Sequence, residues 1–138
     1  MREILFKGKR IDNQEWEEGY YVCLNGNEHR IYDGFAETDC GDFYPDWWKV
    51  DPATVGQFTG LTDKNGKRIF EGDIVAQPVC KYTVEFDGGA FFLIPIPEHN
   101  PYGCPQQLIG FGAMFEVIGN IHDNPELIGG ECDVFGYL

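Results

Sequence analysis

Thr54–Val75, TVGQFTGLTDKNGKRIFEGDIV, is the stretch whose reading decides the fold. An apolar run enters Asp63, Lys64, Asn65 and Gly66, and a second run leaves them and closes on Gly72, Asp73, Ile74 and Val75. Asn-Gly is the dipeptide that most readily takes the positive φ values of a tight hairpin turn. The stretch therefore predicts a β-hairpin with Asp63, Asn65 and Gly66 as structural turn residues.

The same punctuation recurs on both sides of it. Asn25-Gly26 follows the aromatic run WEEGYYVCL, Trp16–Leu24, and Ile31 and Tyr32 belong to the returning strand. Asp87-Gly88-Gly89 separates Lys81–Phe86 from Ala90–Ile94. Lys81–Phe86 alternates, with Tyr82, Val84 and Phe86 on one face and Lys81, Thr83 and Glu85 on the other, as a half-buried strand does. Phe91–Ile94 does not alternate, which predicts cover on both faces from a second sheet or another subunit.

Shorter strands are expected at Glu3–Lys7, at Trp47, Trp48 and Val50, and within Leu108–Ile118, where Gly110 and Gly112 allow bends. Asn124–Leu127 suits one helical turn opened by Pro125. Asp33–Asp46 is acidic and aperiodic and reads as a long mobile loop, and Pro95–Pro105, with four prolines, reads as another loop. The longest stretch free of Gly and Pro is the ten residues Lys9–Glu18, so long helices are excluded. The expected fold is all-β: a small SH3-like barrel or two packed antiparallel sheets, with at most short helical turns. Its 138 residues fit one domain, with N-terminal strands and the acidic loop in 1–50, a hairpin-rich core in 51–128 and a tail in 129–138.

Composition narrows the class. Hydrophobic residues make up 43% of the chain and aromatics 15%, too apolar for disorder despite a net charge of −13. No apolar run approaches the roughly 18 residues of a membrane span, and the opening MREILFKGKR lacks the apolar core of a signal peptide. A cytoplasmic protein that does not engage membranes is expected. Cys23, Cys40, Cys80, Cys104 and Cys132 are odd in number and widely spaced, as free thiols are. Residues 1–10 carry +3 and residues 11–48 carry −9, which argues against general nucleic-acid binding unless Arg2, Lys7, Lys9 and Arg10 act alone.

An EF-hand loop beginning at Asp63 needs Gly at its sixth position and Glu at its twelfth, where Arg68 and Ile74 stand. A phosphate cradle needs a Gly-Lys-Ser/Thr triplet or a third glycine after Gly110-Phe111-Gly112, and neither is present. Cys104, His122 and Asp123 form the one conceivable thiol–imidazole–carboxylate set, without a nucleophile elbow to mark it. His99, Cys104 and His122 lack metal-ligand spacing. No catalytic, metal or cofactor-binding residue is assigned, and no cofactor is expected. Phe43, Tyr44, Trp47 and Trp48 form the densest aromatic cluster, but their flanks, Asp39, Asp42 and Asp46, are acidic where a stacking platform for single strands is basic. Trp47 and Trp48, with Phe91 and Phe92, are instead candidates for contact with a protein.

Three blocks carry a resemblance to the YopX-like family of phage and prophage proteins: ILFKGKR followed by Trp16 and Gly19-Tyr20, VGQFTGLTDKNGKRIFEGDIV, and VIGNIHDNPEL from Val117 to Leu127, with VEFDGGAFF between the last two. The resemblance implies an all-β fold and expression in a bacterial host cytoplasm, and it supplies no catalytic residues. Gly72-Asp73-Ile74-Val75 also resembles a strand opening of small SH3-like barrels, which implies that Gly72 turns the chain and Asp73 satisfies backbone donors. Residues 33–46 and 95–105 match none of these blocks. The resulting expectation is a non-enzymatic accessory protein that binds another protein or itself as a homo-oligomer. A nucleic-acid-associated regulator, or an acidic decoy for a DNA-binding protein, is the alternative, and a Cys/His hydrolase the third.

Overall fold

A computed structural model describes residues 3–96, 104–108 and 114–128. Arg2, His99, most of the Pro-rich loop, Gly110, Gly112 and the tail from 129 with Cys132 lie outside them. The fold is all-β: 56% strand in two antiparallel sheets, with no helix of seven or more residues among the described residues. The chain divides into two compact units, Met1–Phe58 and Thr59–Leu138.

The first unit holds β1 (Phe6–Lys9), β2 (Trp16–Leu24), β3 (Glu28–Glu37), β4 (Phe43–Lys49) and the start of β5 (Gly56–Thr62), in the order β4-β3-β2-β1-β5. Two features fix its register. Gly19 lies against the Tyr32 carbonyl and the Ile31 side chain, where a Cβ would collide with backbone. Asn25 and Gly26 have φ of 54° and 77°, both positive as a type I′ turn requires. The turn sets Leu24 opposite Glu28 and so aligns Tyr20 with Tyr32. Asp51 caps a single 3-10 turn, Pro52–Thr54, with its carboxylate accepting from Ala53 N.

In the second unit the rest of β5 precedes β6 (Arg68–Phe70). A five-stranded sheet follows in the order β10-β9-β8-β7-β11, from β7 (Asp73–Ala76), β8 (Lys81–Asp87), β9 (Ala90–Pro95), β10 (Gln106–Gln107) and β11 (Glu116–Asn120). Ile69, Val75, Tyr82, Val84, Leu93, Leu108 and Phe115 form its core, with Tyr82 and Phe115 edge to face at 5.7 Å. A 3-10 turn, Pro125–Ile128, stands where Pro125 forecasts one.

The Asn65-Gly66 turn is built differently from Asn25-Gly26. Gly66 alone has positive φ, 84°. The conformation is held by Asp63, which is 4% exposed: its Oδ1 accepts from Asn65 N and Lys67 N at 2.8 Å each, and its Oδ2 accepts from Val117 N at 2.9 Å. Burial opposes ionisation of this carboxyl, but the bonds from Val117, Lys67 and Asn65 outweigh it and hold the pKa below the ordinary value. Asp73, 1% exposed, accepts from Phe70 N at 2.8 Å across the Gly72 bend.

Several expectations need correction. Asp33–Asp46 is not one long loop: β3 and β4 extend through it, pairing Gly34 with Asp46 and Glu37 with Phe43, and only Thr38–Asp42 remains between them. A bulge at Asp33, between Tyr32 and Gly34, breaks the alternation that would have revealed the strands. The first strand begins at Phe6, not Glu3. Phe86 shares its face with Tyr82 and Val84 yet is 44% exposed, because it lies at the hairpin end beyond the core. Within Phe91–Ile94 only Leu93 is buried, so a second sheet of the same chain does not cover both faces of the run. Leu108 precedes β11 instead of opening it.

Candidate functional site

Strand register assembles one surface of the first unit. Side chains alternate across a pleated sheet, so residues paired directly opposite share a face. Tyr20 faces Tyr32 and Tyr32 faces Trp47, which puts three aromatic rings in one row across β2, β3 and β4. The next row is Val22, Arg30 and Lys49. Toward β1 the same face carries Lys7 opposite Glu18 and Lys9 opposite Trp16. Tyr20 is 58% exposed, Trp47 37% and Val22 36%, so the face is open.

The contacts on it are specific. The Arg30 guanidinium lies 3.7 Å from the Trp47 ring centroid, within stacking distance. Glu28 holds it by an ion pair at 2.6 Å, and Arg30 Nη1 donates to the Tyr32 hydroxyl at 2.8 Å. The Tyr32 bond, with desolvation opposing and Glu28 assisting, raises the guanidinium pKa further, so its charge is permanent. The Tyr32 and Trp47 rings are 6.2 Å apart and tilted by 37°. Lys7 and Lys9 place their ammonium groups 4.8 and 5.8 Å from the Trp16 centroid. At the hairpin end, Ile11, Asn27, Glu28, His29, Lys49 and Pro52 border an open cleft of about 490 Å³.

Trp47 and Trp48 therefore have different surroundings. Trp47 is on the open face, whereas Trp48 pairs with fully buried Ile31 on the reverse and has Arg10 at 5.5 Å over its ring. Arg10 also pairs with Asp12 at 2.8 Å and Glu17 at 3.4 Å. Phe91 and Phe92 separate in the same way. Phe91 meets Phe86 at 4.9 Å between ring centroids, and Phe92 lies opposite Glu85 on the other face. That second face also bears a shallow apolar groove of about 290 Å³ lined by Thr83, Ile94, Ile96, Ile121 and Ile128.

The residues weighed for catalysis sit in ordinary turn chemistry. His122 and Asp123 lie on the exposed turn after β11, where Asn120 Oδ1 accepts from both backbone N–H groups at 3.0 and 2.9 Å. The Asn120 amide donates to the Asp123 carboxylate at 3.2 Å. Cys104 is exposed ahead of β10. Among the described residues no group of His, Cys, Asp and Glu is gathered closely enough to hold a metal ion, and no helix is long and apolar enough to cross a membrane.

Sequence reasoning missed Tyr20, Tyr32, Arg30 and Lys49 as members of one surface. The available signal was the period-two run Trp16, Glu18, Tyr20, Val22 beside the Asn25-Gly26 turn, whose hairpin register brings Arg30 and Tyr32 across from it. The acidic flanks of Trp47 along the chain drew attention away from its cationic neighbours in space.

A family model described as YopX protein matches residues 5–129. Among solved structures, the crystal structure of protein EF1440 from Enterococcus faecalis is similar, with a TM-score of 0.60 and 24% identity over 93% of this chain and 99% of that one. At that identity the likeness speaks for the fold. No curated protein matches the chain.

Proposed function

The chain belongs to the YopX family, and we propose that it is a non-enzymatic binding module of phage or prophage origin, working in a bacterial host cytoplasm through the exposed face of the β1–β4 sheet. One observation carries the reading: register, not chain proximity, gathers Tyr20, Tyr32, Trp47, Arg30 and Lys49 on one open surface. Tyr, Trp and Arg are the side chains that dominate binding energy at interfaces, since each offers a large rigid contact area with a polar handle. Rows of them left exposed on a sheet serve recognition better than folding.

The test is affinity capture from host cells with the wild-type chain and a Tyr20→Ala, Lys49→Glu variant. Both residues are exposed, so the variant keeps its circular dichroism spectrum. Partners that bind the wild type and not the variant support the reading; equal capture by both contradicts it.

A second reading, self-association into a homo-oligomer, draws on the β8–β9 hairpin, where exposed Phe86 packs at a tilt against Phe91 and half-buried Phe92 lies on the other face. Sedimentation at tens of micromolar tests it. An oligomer that Phe86→Glu dissociates is the expected outcome, and a strict monomer rules it out.

A further inference from the structure

We propose that the β1–β4 face is a platform for single-stranded nucleic acid, an inference that rests on the reading of this face as the binding surface and names its partner. Along the chain the aromatic cluster at Trp47 has acidic neighbours, and the whole chain carries −13. The folded face has a different composition. Lys7, Lys9, Arg30 and Lys49 stand on it with Glu18, Glu28 and, by register, Glu37, so cations and carboxylates come close to balance on this face of an acidic molecule.

That local relief of negative charge lets a phosphate backbone approach the cations beside the rings. It acts over the roughly 8–10 Å for which charges are unscreened in physiological salt.

The aromatics supply the other half of the recognition. Single strands expose base faces that stack on Tyr, Trp and on the plane of an Arg guanidinium, and they bind grooves where such groups alternate with cations. Tyr20, Tyr32 and Trp47 succeed one another across adjacent strands, about 4.8 Å apart. The Arg30 guanidinium already lies over the Trp47 ring, 3.7 Å from its centroid, and is held there by Glu28 and Tyr32. It needs no reorganisation to meet a base. Exposed Lys49, in the row beside the rings, is placed for a phosphate. A duplex, whose bases are stacked on one another, offers nothing to this row.

The experiment is fluorescence anisotropy of labelled 15-mers, oligo(dT), oligo(U) and a DNA duplex, titrated with the full chain at 50 and 200 mM salt. Both single strands are expected to bind and the duplex to bind much more weakly. With three to four phosphates engaged, affinity falls about 20- to 50-fold between the two salts. Tyr20→Ala weakens single-strand binding about tenfold at either salt, as the loss of one stacked base does. Lys49→Gln instead flattens the salt dependence by the share of one phosphate.

No binding of either strand at 50 mM salt overturns the proposal, as does binding that Tyr20→Ala leaves unchanged. If strands fail to bind while Tyr20→Ala, Lys49→Glu still loses host partners, the nucleic-acid assignment falls and the binding face stands. If neither effect is seen, both fall.

Discussion

The β1–β4 sheet leaves Tyr20, Val22 and Trp47 in the open, while the sheet of the second unit turns Val75, Tyr82, Val84 and Leu93 into a core with Phe115. Their polar groups differ just as much. In the first unit Arg30 is spread over a ring at the surface. In the second, Asp63 and Asp73 are buried and accept bonds from backbone N–H groups. One unit places its unusual chemistry where a partner can reach it; the other places it where it fixes turns. Substitutions in the second unit should therefore act on stability, and those on the exposed face of the first should act on binding.

Asp63→Ala is the severest break of the second unit. It leaves the backbone N–H groups of Asn65, Lys67 and Val117 without their acceptor, and at about 1–3 kcal/mol for each unsatisfied group the loss reaches about 3 kcal/mol or more. Urea denaturation measures it. The same carboxylate gives the second unit an acid limb. Because the folded pKa lies below the ordinary value of 3.8, the folded state binds fewer protons than the unfolded one. The stability from ionised Asp63 is complete above the unfolded pKa and fades as pH falls through the folded one. Asp63→Asn should remove that part of the loss of stability below about pH 4.

Gly19→Ala tests the first unit where it is tightest. The new methyl meets the Tyr32 carbonyl, and overpacking of this kind costs about 1–3 kcal/mol. It should also disturb the row that Tyr32 shares with Tyr20 and Trp47. Gly26→Ala and Gly66→Ala put a methyl into open space in turns of different construction, both at positive φ, and each should cost about 1–2 kcal/mol from backbone strain alone. Equal losses sharpen the comparison, since the two units then differ in side-chain chemistry and not in their glycines. Tyr20→Ala closes the series, with a change in thermal stability within about 0.5 kcal/mol.

How much of this was legible followed the range of the interactions. Turns are local, so Asn25-Gly26, Asp87-Gly88-Gly89 and the Asp63 turn could be placed from the chain, and β2 has the bounds its aromatic run suggests. The geometry of the Asp63 turn was less accessible, because its carboxylate answers partly to Val117, 54 positions away. The strands at 33–46 were hidden by the Asp33 bulge, which shifts pairing and scrambles alternation. The binding face was hidden for a related reason. Arg30, Tyr32, Trp47 and Lys49 become neighbours of Tyr20 and Val22 through pairing alone, while Asp46, next to Trp47 in sequence, alternates onto the other face of the same strand.

The most direct test of single-strand recognition by this face is a proton–nitrogen NMR titration of the full chain with oligo(dT). The account predicts shift changes confined to residues 7–9, 16–22, 28–32 and 47–49, with Asp63, Val84 and Leu93 unmoved. Shifts centred on the second unit, or none at saturating strand, would contradict it.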